Sequence, residues 1–280
     1  MDIVALTISV ARAYHEGQTG SAMKLEGQVA VITGAGKGIG KKIALLFAQE
    51  GAHLTLLGPE LSDLDGVKED IELAHRNCLV RKADVADETQ VNSVVEAAVK
   101  EFGQIDILVN NASILGPTAP IARLSRTDWD RELAVNLTGS FLCAKAVLSG
   151  MIERRRGKII NISSVAGQKA YPLRSPYAVS KWGLIGFTRT LAQEVGCYDI
   201  QVNAVAPGPV RGKRMERVMD QRAKETGAPI GEIEKGYLDA LALGRMVEEE
   251  DVARMVLFLA SKEADNITGQ VFNVCSGYKL

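Results

Sequence analysis

Seven short, apolar, β-rich runs punctuate this chain. They are QVAVIT (28–33), HLTLL (53–57), NCLVRKA (77–83), IDILVN (105–110), KIINIS (158–163), IQVNAV (200–205) and QVFNV (270–274). Between them lie longer segments with helical periodicity, such as GKKIALLFAQEG and VNSVVEAAVKEFG, where Gly51 and Gly103 mark helix ends. Strand and helix alternating in this way implies parallel strands, because a parallel pair needs a crossover connection. The runs are apolar on both faces, as a sheet covered on both sides requires. The expected fold is a single α/β domain: a doubly wound, Rossmann-type parallel sheet of about seven strands with helices on both faces.

A chain of 280 residues, 46% hydrophobic, suits one large core. Residues 23–280 read as that domain, with Met23 opening MKLEGQVAVITG. Residues 1–22 read as a flexible extension: Asp2 stands where a signal peptide carries positive charge, and no compact apolar core with a cleavage site follows. A net charge of −1 supplies no field for nucleic acid or membrane, and the apolar runs read as too short to cross a bilayer. Cys78, Cys143, Cys197 and Cys275 show neither metal-ligand spacing nor a disulfide framework. The expectation is a cytoplasmic protein without a metal.

Ligands of such sheets bind beyond the carboxyl ends of the strands. The first strand leaves into TGAGKGIGKK, with Gly34, Gly36, Gly38 and Gly40 opening a helix. Glycine allows a tight turn against a phosphate, and the helix N-terminus offers free N–H groups. The second strand leaves at Gly58-Pro59, which offers neither an acid for a ribose 2′-hydroxyl nor a base for a 2′-phosphate. Lys37 supplies a nearby cation, so NADP(H) is weakly preferred over NAD(H). Asp84, after the third strand, is placed either to accept from an adenine amino group or to cap a helix. The later exits carry Asn110-Asn111-Ala112-Ser113, Ser163-Ser164 and Pro207-Gly208.

Tyr177 precedes Lys181 by four residues in YAVSK. On a helix the two share a face, so the ammonium can favour the phenolate and bring the phenol toward a usable acid or base. A solvated helix face is the alternative for this pair taken alone.

The ordered set TGAGKGIG, NNAS, AVNLTGS, NISS, YAVSK, APGPV and ITGQVFNV resembles the short-chain dehydrogenase/reductase family over roughly residues 25–280. The resemblance implies a catalytic set of Asn136, Ser164, Tyr177 and Lys181. Ser164 would hold the substrate oxygen, Tyr177 would move the proton, Lys181 would also bind nicotinamide ribose, and Asn136 would support a relay water. It implies NAD(P) bound by Gly34, Gly36, Lys37, Gly38, Ile39, Gly40, Asp84, Val85, Asn111, Ala112, Tyr177, Lys181, Pro207, Gly208 and Val210. It also implies a homotetramer acting on a small alcohol or carbonyl compound. The chain departs from the family pattern at Ser113, at Arg211-Gly212 after the Pro-Gly turn, and at Cys275-Ser276-Gly277.

The expected function is NAD(P)-dependent interconversion of a secondary alcohol and a ketone. A non-catalytic dinucleotide sensor on the same fold is the alternative, and an epimerase or dehydratase would want a larger substrate domain. Residues 208–247 leave the sixth strand as a long charged segment, expected to form a mobile helical lid. Arg211, Lys213 and Arg214 near its base read first as cations that solvate a helix start; the alternative is that they greet an anionic substrate group, with Arg211 the first candidate.

Overall fold

The computed structural model describes residues 23–73 and 75–279, so the extension expected at 1–22 lies outside the described residues. The strands are β1 (Val29–Thr33), β2 (His53–Gly58), β3 (Cys78–Lys82), β4 (Ile107–Asn110), β5 (Gly157–Ile162), β6 (Ile200–Pro207) and β7 (Val271–Val274). All pair in parallel, in the order β3-β2-β1-β4-β5-β6-β7. The order reverses between β1 and β4, which places the ligand crevice at their carboxyl ends.

Successive strand residues point to opposite faces, and the core divides accordingly. Ile32, Leu54, Leu56 and Ile160 pack under helices α1 (Gly38–Gln49), α2 (Leu61–Leu73) and, near the far edge, α9 (Glu249–Ala260). Val31, Leu108, Ile159 and Val202 pack under α3 (Glu88–Phe102), α5 (Gly139–Arg154) and α6 (Ser175–Val195). Each side chain of this size, fully buried, stabilises the fold by about 1.5–3 kcal/mol. Gly103 ends α3 at φ +81°, and Gly51 follows α1 at φ +97°, both as their positions suggested.

Helix α4 (Arg126–Leu133) runs through a π-helical turn (Ala134–Thr138) into α5. Together they make one 29-residue helix, Arg126–Arg154, long and apolar enough by composition to cross a membrane. This corrects the expectation of runs too short to span. Half of its most apolar window is buried in the fold, as in a helix packed on a sheet.

The segment after β6 forms α7 (Lys213–Thr226) and α8 (Ile230–Asp239). Its base is closed by a parallel bridge between Val210 and Val247. Met215, Val218, Met219 and Tyr237 form a small apolar cluster with Cys275 and Tyr278 of the C-terminal segment. A Cβ on Gly208 would stand 2.8 Å from the Cys275 Cα, so the unusual Cys-Ser-Gly there concerns close packing.

Candidate active site

The glycine turn lies where the sheet order reverses. Gly34 sits at φ +65°, and a Cβ there would meet the Ala112 backbone at 2.9 Å. A Cβ on Gly40 would come within 2.3 Å of the Gly34 carbonyl. These two glycines allow β1, α1 and the β4 exit to close on one another. Asn111 locks the junction by donating from Nδ2 to the Thr33 and Gly34 carbonyls at 2.9 and 3.0 Å. Helix α1 starts at Gly38 after Lys37, with no side-chain cap and no acid in its first turn. Its leading N–H groups and positive dipole end therefore suit a phosphate. Ile39 packs against the core beneath the turn.

Two expected contacts are already engaged. The Lys37 ammonium pairs with the Asp63 carboxylate of α2 at 3.0 Å. The acid missing at Gly58 thus arrives five residues later, and the cation counted toward NADP(H) is shared with it. Asp84 accepts from the Ala86 N–H at 3.0 Å and pairs with Arg131 at 2.8 Å. The cap of α3 is Asp87, which accepts from the Gln90 N–H. Val85 is buried against the π turn's end at Gly139, and Pro207 closes β6 with Gly208 donating to the Val274 carbonyl at 2.9 Å.

Ser164, at the exit of β5, accepts from the Ala166 N–H at 3.1 Å, which leaves its own proton free to donate. Its neighbour Ser163 is spent on the Lys181 carbonyl at 3.1 Å. Tyr177 and Lys181 lie on α6, with the Lys181 Nζ 5.7 Å from the Tyr177 ring centre. Lys181 is buried and donates to the Ile162 carbonyl at 2.8 Å. Burial, with a smaller contribution from the Arg214 charge, pushes its ammonium down to about 7, and Glu132 opposes this. Lys181 is therefore not the permanent cation that its residue type suggests.

Asn136 sits fully buried in the π turn. Such turns interrupt regular helix hydrogen bonding and recur at functional sites. Its Oδ1 accepts from the Ile114 N–H at 2.8 Å, and its Nδ2 reaches the Ser180 Oγ at 3.5 Å. Ser180 in turn donates to the Tyr177 carbonyl at 2.7 Å. One chain of polar contacts thus joins the β4 exit, the π turn and the helix carrying Tyr177.

Arg211 pairs with Glu248 at 3.0 Å, both side chains more than half exposed, at the base of the segment that follows β6. Arg214, one turn later, donates to the Ser113 and Ile114 carbonyls at 2.9 and 3.2 Å and lies 6.0 Å from the Tyr177 ring centre. Two further residues at the site, Arg174 and Glu132, were not anticipated. Both are 1% exposed. Arg174 stands three residues before Tyr177, with its guanidinium 5.4 Å from the ring centre. No side-chain donor reaches either oxygen of Glu132. Burial raises its carboxyl above the usual range, while the Gly116 amide and the charges of Arg174, Arg214 and Lys181 act the other way.

Residues 28–223 match the short chain dehydrogenase family model. The chain is 41% identical over 257 residues to a 3-oxoacyl-[acyl-carrier-protein] reductase of Thermotoga maritima, covering 91% of this chain and 99% of that protein. It is 38% identical over 258 residues to galactitol 2-dehydrogenase of Agrobacterium fabrum, covering 91% and 98%. Among solved structures it is similar to NAD+-bound xylitol dehydrogenase, with TM-score 0.88, 31% identity and coverage of 91% and 100%. It is similar also to levodione reductase, with TM-score 0.86, 32% identity and coverage of 90% and 98%. With its seven-stranded parallel sheet, its glycine turn at the reversal point and these likenesses across nine-tenths of its length, the chain belongs to the short-chain dehydrogenase/reductase family of oxidoreductases.

Proposed function

We propose that this protein is an NAD(P)-dependent oxidoreductase that interconverts a secondary alcohol and a ketone. The observation that carries the reading is the placement of Ser164 at the exit of β5, where the turn it caps packs on the helix that holds Tyr177 and Lys181, in a fold whose α1 N-terminus is uncapped and suits a phosphate. The residues present fit a nicotinamide dinucleotide. The leading N–H groups of α1 suit its pyrophosphate; Asp84 and Val85, after β3, would take the adenine side, and Asn111, Ala112, Pro207, Gly208 and Val210, at the exits of β4 and β6, the nicotinamide side. When bound, that cofactor supplies the hydride acceptor or donor.

The chain's own residues do the rest. The free hydroxyl proton of Ser164 donates to the substrate oxygen. Tyr177 takes the proton from an alcohol or gives it to a carbonyl. The Lys181 ammonium, 5.7 Å from the Tyr177 ring centre, when charged puts positive charge beside the group that moves the proton. Its anchor on the Ile162 carbonyl fixes its position on the end of β5. Asn136 holds the Ile114 amide and, through Ser180, the turn that presents Tyr177. General acid–base transfer of this kind contributes about 10²- to 10⁴-fold.

The cofactor form is balanced by two residues. Lys37 favours a 2′-phosphate, and Asp63 beside it opposes one. The reading is therefore of an enzyme that accepts both forms, its preference for NADP(H) weakened by Asp63. A homotetramer is part of the same proposal. Phe141 on α5 and Val179 and Trp182 on α6 are 46%, 43% and 52% exposed, and β7 pairs with only one neighbour among the described residues. Exposed apolar side chains on adjacent helices and an open sheet edge suit contact with further copies.

The test is turnover of a panel of secondary alcohols and ketones with each cofactor, followed by nicotinamide absorbance. Cofactor-dependent turnover supports the reading. Tight cofactor binding with no turnover of any panel member would replace it with a sensor.

A further inference from the structure

Arg174 has the largest fully buried side chain in the described fold. A guanidinium does not lose its proton in a protein, so it is buried as a cation. Removing a charge from water costs several kcal/mol unless partners replace the water. Arg174 has few. Its Nη1 reaches the Thr118 Oγ1 only at 3.5 Å, and its Nε has no hydrogen-bonding partner. No carboxylate among the described residues lies within 4.0 Å of it. Its position 5.4 Å over the Tyr177 ring offsets only part of that burial.

The surroundings add positive charge. Lys181 and Arg214 approach the same ring. Arg222 lies 5.4 Å over the Tyr171 ring, which stands 6.3 Å from the Tyr177 ring, and its Nε is also buried without a partner. Glu132 is the buried acid nearby, and it bonds to none of these cations. Arg214 has spent its fork on Ser113 and Ile114, whereas Arg174 has not.

We propose that Arg174 determines substrate specificity by binding a carboxylate carried close to the reacting carbon, so that the substrate is a small hydroxy acid or keto acid. A carboxylate fits the planar guanidinium fork with two parallel hydrogen bonds. The backbone supports the placement: Arg174 is the residue at which α6 begins, so the turn that presents Tyr177 also presents the guanidinium. The proposal rests on the oxidoreductase reading above and narrows it to a substrate class.

The experiment compares lactate, 3-hydroxybutyrate and 3-hydroxyhexanoate, each against its own methyl ester, with NAD+ and with NADP+. The wild type is expected to favour at least one acid over its ester by tenfold or more in kcat/KM. Arg174→Met is expected to bring that ratio near one, chiefly through the KM of the acid, and Arg174→Lys to keep part of it. Esters used as well as acids, or a ratio that survives Arg174→Met, would overturn the carboxylate seat while leaving the oxidoreductase reading intact. If neither member of any pair turns over, the seat is read by binding: the acids should still raise the Tm of the cofactor complex, more for wild type than for Arg174→Met, and no shift would overturn it. If Arg174→Met does not fold, the wild-type ratio and Arg174→Lys decide.

Discussion

Lys181 donates to the Ile162 carbonyl at 2.8 Å while standing 5.7 Å from the Tyr177 ring centre. One ammonium thus ties the helix that carries Tyr177 to the end of β5 and stands beside the Tyr177 ring. Burial pushes its pKa down to about 7, against an ordinary 10.5. Below pH 7 both folded and unfolded chains carry the charge, and the folding penalty is full. Between 7 and 10.5 only the unfolded chain is protonated, so the penalty shrinks as pH rises. Above 10.5 it is gone. Urea unfolding of the cofactor-free protein should therefore show wild type gaining on Lys181→Met from pH 7 to 9.5, by up to about 1.4 kcal/mol per pH unit. A difference that stays constant with pH would show that Lys181 is charged throughout.

Much of this site was legible in the sequence, because local patterns dictate it. The seven runs became seven strands: the five central ones bury their apolar residues on both faces, and β3 and β7, half-buried, form the sheet's edges. The glycine turn and the Tyr-x-x-x-Lys spacing are local as well. What was not legible depends on distant residues. Asp63 stands in α2, twenty-six positions from Lys37, and only the return of the chain brings them together. Arg211 and Arg214 looked alike in RGKR. The fold turns one toward Glu248 and the other toward Ser113 and Tyr177. Arg174 did leave a trace, as a charged residue three before Tyr177 in an otherwise uncharged stretch, AYPLRSPYAVS.

The Lys37–Asp63 pair sets the second prediction. Asp63→Asn removes the acid and frees the cation, so it should tighten NADP(H) relative to NAD(H) by several-fold. Lys37→Ala should weaken NADP(H) selectively. Dissociation constants for both cofactors by fluorescence titration check both. Equal shifts for the two forms would place the pair away from the ribose.

The segment 208–247, proposed as a lid, is held to the rest of the chain at several points. Thr118 donates to the Gln221 Oε1 at 3.1 Å, Arg222 to the Pro172 carbonyl at 3.1 Å, and the Tyr171 and Tyr237 hydroxyls meet at 3.0 Å. These polar contacts lie alongside the small apolar cluster of Met215, Val218, Met219 and Tyr237. Amide exchange in residues 208–247 is expected to be fast in the free protein and to slow in a ternary complex with cofactor and substrate. An unchanged pattern would count against closure.

The exposed apolar face of α5 and α6 predicts association. Light scattering at micromolar concentration should give four copies, and Trp182→Glu should lower that number without lowering the Tm of the subunit core by more than a few degrees. A wild-type monomer would remove the oligomer from the proposal.

The most direct measurement is steady-state turnover by Tyr177→Phe on the substrate that wild type uses best. Phenylalanine keeps the ring against Arg174, Lys181 and Arg214 and removes only the hydroxyl. A rate reduced about 10²-fold or more, with cofactor affinity within a few-fold of wild type, is the predicted result. A variant that keeps more than about a tenth of the wild-type rate would show that the proton moves through another group.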